Sequence, residues 1–202
     1  ISAGSTTGTA TFTPTDDSTF EGDETAIIDI DSVSGGSASE NGTQRVTITI
    51  SEDEAGAALS INDVTTSDES AGNATFTVTM STASSSTVTV DYATSDGTAT
   101  TASSDYTAAS GTLTFSAGQT SKTFNVPVLA DTVYETGNET VTITLSNSTN
   151  ATISDSTGIL TITDDDNAPT VTLTSSASSV AEGGSDLTLT ATLSNATTAD
   201  VS

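Results

Sequence analysis

The sequence predicts an all-β chain organised as tandem two-sheet sandwich modules with essentially no helix. Three observations carry that expectation. Apolar residues alternate with threonine in short runs, a unit of domain length recurs, and no segment keeps apolar residues at helical spacing over three turns.

The alternation comes first, because low hydrophobicity with a formal net charge of -25 is also the signature of a disordered chain. Phe76, Val78 and Met80 alternate with Thr75, Thr77 and Thr79. Val88, Val90 and Tyr92 alternate with Thr87, Thr89 and Asp91, and Val141, Ile143 and Leu145 with Thr142 and Thr144. A period of two is that of a half-buried strand, and threonine suits its outer face because a branched side chain packs on the pleat while the hydroxyl stays in water.

The repeat sets the modules. Asp17-Ser18-Thr19-Phe20-Glu21-Gly22-Asp23-Glu24-Thr25 returns as Asp131-Thr132-Val133-Tyr134-Glu135-Thr136-Gly137-Asn138-Glu139-Thr140, with one inserted residue. Ile48 to Glu54 overlies Leu160 to Asp166, with Ile50 and Ile162 standing 112 residues apart, and Glu69 and Glu182 are 113 apart. That period is far beyond a solenoid repeat and equals one sandwich domain. Residues 1–54 read as the C-terminal half of a first module, 57–166 as a complete one and 169–202 as the N-terminal strands of a third, so the chain reads as an excerpt of a longer one. In the complete module, strands are expected near 58–63, 73–80, 87–93, 111–115, 121–128, 139–146 and 157–163. Asp96-Gly97, Ser110-Gly111 and Ala117-Gly118 serve as turns, and Pro127 belongs at an edge or bulge. Asp166-Asn167-Ala168-Pro169 is too short for a flexible linker, so adjacent modules of the chain are expected to be each other's nearest partners.

Composition excludes several functions. Arg45 and Lys122 are the only basic side chains against 27 acidic ones, which rules out nucleic acid as a direct partner. Without cysteine or histidine there is no disulfide, no thiol nucleophile, no zinc-thiolate site and no imidazole base. No apolar run approaches the roughly 18 residues of a membrane span, and no membrane insertion is expected in this segment.

What remains is carboxylate chemistry. Asp164, Asp165 and Asp166 follow one another at the end of the last strand, beside the joint, and Glu52-Asp53-Glu54 holds the same place one module earlier. Acid runs are ordinarily solvated faces, but three adjacent anions repel unless a cation stands among them. Calcium takes six to eight oxygen ligands from carboxylates and loop carbonyls. Magnesium demands tighter octahedral geometry, and transition metals prefer the missing His and Cys. The spacing is not that of an EF-hand loop.

The order of Asp96-Gly97-Thr98-Ala99, Ser104-Asp105-Tyr106, Gly111-Thr112-Leu113-Thr114-Phe115, Gly118 to Lys122, the Tyr134-Glu135 and Glu139 element, and Asp164-Asp165-Asp166 resembles the Calx-beta domain, a family that occurs in tandem in large bacterial surface proteins. The resemblance implies seven-stranded, immunoglobulin-like β-sandwich modules with calcium among the loops at one end. Matched by motif position, it implies ligands at Glu69, Asp105, Asp131, Glu135, Asp164, Asp165 and Asp166. In the first module it implies Asp16, Asp17, Glu21, Glu52 and Asp53, and in the third Glu182. One departure is that Ala130-Asp131 stands where the family's calcium binders carry an acidic pair.

The expected function is a non-enzymatic, calcium-stiffened spacer or stalk repeat of a secreted or cell-surface, adhesin-like protein. The alternative is a recognition module binding a glycan, a surface or a neighbouring copy, including filament assembly by exchange of strands between copies. Against the alternative, outward threonine is ordinary on exposed antiparallel strands, and tryptophan is absent with only three tyrosines. An acid-base glycosidase is least favoured, since the same cluster recurs in successive modules.

Overall fold

The computed structural model describes all 202 residues, Ile1–Ser202. Strands are β1 (Thr19–Phe20), β2 (Glu24–Asp29), β3 (Arg45–Ile50), β4 (Ala58–Ile61), β5 (Val64–Thr65), β6 (Asn73–Met80), β7 (Ala83–Ser84), β8 (Val88–Asp96) and β9 (Ser110–Phe115). They continue as β10 (Ser121–Pro127), β11 (Val133–Tyr134), β12 (Glu139–Thr149), β13 (Thr152–Ile153), β14 (Thr157–Ile162), β15 (Val171–Ser175), β16 (Leu189–Leu193) and β17 (Ala196–Thr197). The one helical element is a single 3₁₀ turn, Glu69–Ala71, and no helix is long and apolar enough to cross a membrane.

Between Ala57 and Ile162 two sheets enclose one core. The four-stranded sheet runs β10-β6-β4-β13 and the five-stranded sheet β5-β14-β12-β8-β9. The alternation is realised residue by residue: Ala74, Phe76, Val78 and Met80 of β6 point inward, as do Val141, Ile143 and Leu145 of β12. Phe124 lies opposite Phe76 in the β10–β6 ladder with ring centroids 5.5 Å apart, and Tyr92 of the other sheet stacks on Phe124 at 3.9 Å. These rings tie the sheets together, and aromatic pairs of this kind are worth about 0.5–1.5 kcal/mol beyond their burial.

Eleven strands stand in this region instead of the expected seven. The expected 58–63 strand is broken at Asn62-Asp63: β4 joins one sheet, while β5 crosses to pair in parallel with β14. The crossing is held by Thr66 N–H to the Thr161 carbonyl (2.9 Å), Thr163 Oγ1 to the Thr66 carbonyl (3.0 Å) and Ile159 N–H to Asp63 Oδ1 (2.7 Å). The remaining extra strands, β7, β11 and β13, are two-residue pairings that carry no apolar alternation of their own.

Gly97 is not a turn glycine. β8 runs to Asp96, and a Cβ on Gly97 would strike the Thr140 carbonyl, so glycine lets the following loop lie against β12. The Ala99 N–H donates to that same carbonyl at 3.1 Å.

The flanking segments form antiparallel hairpins, β2–β3 and β15–β16. Every buried residue lies between Ala57 and Ile162, and Ile28, Val46, Leu173 and Leu189 on the hairpins are exposed.

Candidate metal centre

Four chain segments meet at one end of the sandwich, each delivering carboxylates. The 3₁₀ turn after β5 buries Glu69, and Gly72 at φ 77° then reverses the chain into β6. Asp105 is 8% exposed. Ser104, at φ 73°, holds the left-handed conformation just before it, a strained state worth of order 1 kcal/mol that marks a fixed side-chain direction. Asp105 Oδ2 accepts the Thr100 N–H and the Ser103 hydroxyl, both at 2.7 Å. The loop after β10 supplies Asp131, β11 leads to the buried Glu135, and the chain leaving β14 supplies Asp164 and Asp166.

Two groups of three oxygens result, each within 4.8 Å of one another: Glu69, Asp131 and Asp166, and Glu69, Glu135 and Asp164. Glu69 is common to both. Oε2 of Glu135 and Oδ2 of Asp166 are buried without any hydrogen-bond partner. A buried carboxylate oxygen normally has one, and each here faces other carboxylates.

The electrostatics agree. Burial, followed by the charge of Glu69, pushes Glu135 up to about 8. Burial and then Asp105 push Glu139 up to about 7. Glu69 is raised by burial and by Asp131 and Asp164, although its hydrogen bond with Glu135 partly offsets this, and Asp166 is raised by burial and by Asp164. Like charges in a shared, partly dry pocket hold protons to reduce their repulsion, and a divalent cation relieves the same strain. An all-oxygen donor set with unpartnered inward oxygens fits calcium.

Of the residues expected from sequence in this module, Glu69, Asp131, Glu135, Asp164 and Asp166 converge in the two groups, while Asp105 meets the cluster through Glu139. Asp165 is exposed and lies outside both groups. Glu139 was missed as a ligand candidate because it opens an alternating strand. The signal that finds it is the repeat, where Glu24 occupies the same place.

In the segment that precedes the sandwich, Asp16, Asp17, Glu21, Glu52 and Asp53 line one cleft with Glu24 and Glu54. Asp16, Asp53 and Glu54 form its group of three oxygens, and Glu54 is the second candidate that sequence reasoning left out. Glu52 turns instead to the backbone: its Oε2 accepts the Glu21 and Gly22 N–H groups at 2.5 Å, which draws its pKa down to about 2. Glu54, hydrogen-bonded to Glu52, is pushed up to about 7. Asp17 caps the Thr19 N–H, and Glu21 is raised by neighbouring Glu24. Glu182, in the segment after the sandwich, is exposed in a turn and meets no other carboxylate in such a group.

None of the curated protein sequences compared matches the chain. Among solved structures it is similar to the apo-form Calx CBD1 domain, at 25% identity and a TM-score of 0.50 over 55% of this chain and 100% of that one. It is also similar to calcium binding domain CBD12 of CALX1.1, at 26% identity and TM-score 0.50, and to CBD12 from CALX1.2, at the same identity and score. The matches cover 57% and 54% of this chain, and 49% and 46% of those two, so the chain spans about half the length of each. The family model of the Calx-beta domain matches residues 51–166, the sandwich with all of its converging carboxylates and more than half of the chain: the chain belongs to the Calx-beta domain family.

Proposed function

We propose that this chain is a calcium-binding, non-enzymatic spacer segment of a secreted or cell-surface, adhesin-like protein, in which bound calcium stiffens the ends of successive modules. The observation that carries the reading is Glu69, shared by two carboxylate groups whose inward oxygens on Glu135 and Asp166 lack any other partner. Glu69, Asp131, Glu135, Asp164 and Asp166 would hold the ions, with Asp105 and Glu139 alongside. The ion supplies positive charge that lets these loops approach.

The chain's own residues do the remaining work. Thr163 hydrogen-bonds to Thr66 and so ties the segment leaving β14 to the one entering the Glu69 turn. Asp131 closes its own loop by accepting the Val133 N–H at 2.7 Å. Asp164 and Asp166 lie on the short connection to the next module, so restraint of these side chains restrains the joint.

Affinity of roughly 10⁻⁴ to 10⁻³ M is enough where calcium is plentiful outside cells. Similarity to a calcium binding domain supports the ion, and the acidic surface with only two basic residues supports a solvated, non-nucleic-acid role. The threonine-rich sheet supports spacing more than recognition, since its outward groups bond one another: Ser60 with Thr79, and Thr75 with Asn125.

Elemental analysis together with calorimetric titration tests the ion, and scanning calorimetry with calcium or chelator tests its structural effect. Bound calcium with a raised melting temperature is expected. Absence of binding at millimolar calcium sinks the proposal.

A further inference from the structure

The loop that delivers Asp131 and Glu135 also reaches the following hairpin, and the same contact is made one module earlier. β1 pairs in parallel with β7, Thr19 opposite Ala83 and Phe20 opposite Ser84. β11 pairs in parallel with β17, Val133 opposite Ala196 and Tyr134 opposite Thr197.

The agreement extends to single hydrogen bonds. Asp17 accepts the Thr19 N–H at 2.7 Å, and Asp131 accepts the Val133 N–H at 2.7 Å. The Phe20 carbonyl accepts the Ser85 N–H at 3.1 Å, and the Tyr134 carbonyl accepts the Thr198 N–H at 3.2 Å. Side chains at three of the four matched positions differ, so the conserved quantity between the two joints is a main-chain pattern. A free linker samples many registers and would not give the same one twice.

We infer that Asp-x-x-(Phe/Tyr)-Glu is a module-coupling element: the two residues before its Glu add a short parallel strand to the β7-type edge of the next module and fix the pair at one register. The partner it fits is the following copy of the module in the same chain. Addition of an extended segment to an exposed edge uses backbone groups that would otherwise face water, and it tolerates side-chain variation. Ser84, on the receiving strand, is only 2% exposed. Phe20 faces Ala57, Ala151 and Thr152 across a cleft of roughly 390 Å³, which brings an aromatic side chain to the entry of the sandwich. The coupling is made by backbone, and so stands apart from the ion reading.

The chain has no cysteine, so introduced pairs label uniquely for electron-spin distance measurement. Thr47→Cys with Thr114→Cys spans the first joint, and Thr114→Cys with Thr190→Cys spans the second; all three sites are exposed. Each pair is expected to give one narrow distance peak in calcium-containing buffer. Ser85→Pro, which deletes the donor to Phe20, should abolish the narrow peak of the first pair only. Thr198→Pro should abolish that of the second only. Thr19→Gly combined with Phe20→Gly, made outside the sandwich, should reproduce the first loss while the melting transition of the sandwich stays in place. Narrow peaks that survive all three changes, changes that broaden both pairs alike, or broad peaks in the unaltered chain would overturn the inference. Calorimetry on the same samples reads calcium binding separately, so a chain that bound no calcium but kept its narrow peaks would sink the ion reading and leave this one standing.

Discussion

Glu52 and Asp164 occupy equivalent places in the sequence repeat, after β3 and β14, yet they face different partners. Asp164 meets Glu69 and Glu135 in a partly dry pocket, whereas Glu52 folds back onto the Glu21 and Gly22 amides at the surface. The N-terminal cluster draws its group of three oxygens from Asp16, Asp53 and Glu54, with no counterpart of Glu69 among them. The centre is thus assembled from both halves of a sandwich. The C-terminal half brings most of the carboxylates, and the front half, through Glu69, gathers them inward.

The largest expected effect comes from removing that gathering residue. Glu69→Gln should abolish the calcium-induced rise in melting temperature of the sandwich. At calcium about 100-fold above Kd that stabilisation is roughly 2.7 kcal/mol per site, on the order of 10 °C in scanning calorimetry. Without calcium the same change should raise the melting temperature, because it removes one of several crowded like charges. A chelated variant that melts lower than the parent breaks the comparison.

Gly97→Ala comes next. Its methyl would meet the Thr140 carbonyl beside Glu139, and overpacking of this kind costs about 1–3 kcal/mol. Urea denaturation measures the loss, and weakened calcium binding in the same variant sharpens the link between this packing and Glu139.

pH reports on the buried pocket. Glu135 and Glu139 titrate at about 8 and about 7, above the ordinary 4.5, so folding favours their protonated forms. The stability they contribute is fully present below about pH 4.5 and is lost as pH rises through 7 and 8. The calcium-free sandwich should therefore melt several degrees lower at pH 8.5 than at pH 5.5, with the difference shrinking on calcium addition. A calcium-free melt that is flat over this range contradicts the buried pocket.

The smallest effect is expected at the exposed cluster. Asp53→Asn should change the melting temperature of the sandwich by less than about 1 kcal/mol equivalent, with or without calcium. A loss as large as that of Glu69→Gln would show that the two clusters are energetically alike.

The strands were legible wherever threonine alternated with residues such as Phe76, Val78 and Met80, because one buried face imposes period two. β7, β11 and β17 were not, since a two-residue strand exists only through a partner distant in sequence. Asp164 and Asp166 could be read from their crowding at the joint. Asp165, between them, is exposed and outside both groups, a difference that crowding in the sequence does not encode. Glu139 hid inside a strand pattern, and only its alignment with Glu24 in the repeat reveals it. The role of Gly97 required the position of Thr140, which nothing local in the sequence encodes.

The parallel pairing of β5 with β14 bears on how a module responds to pulling. The chain enters near Ala57 and leaves near Asp166, so tension drags these two strands in opposite directions along their length. Their ladder, with the Thr66–Thr161, Thr66–Thr163 and Asp63–Ile159 bonds, is then loaded in shear and must yield nearly all at once instead of unzipping bond by bond. A sandwich stapled in this way yields in one step, with Glu69 lying behind the staple and Asp164 and Asp166 beyond it, on the connection that carries the load.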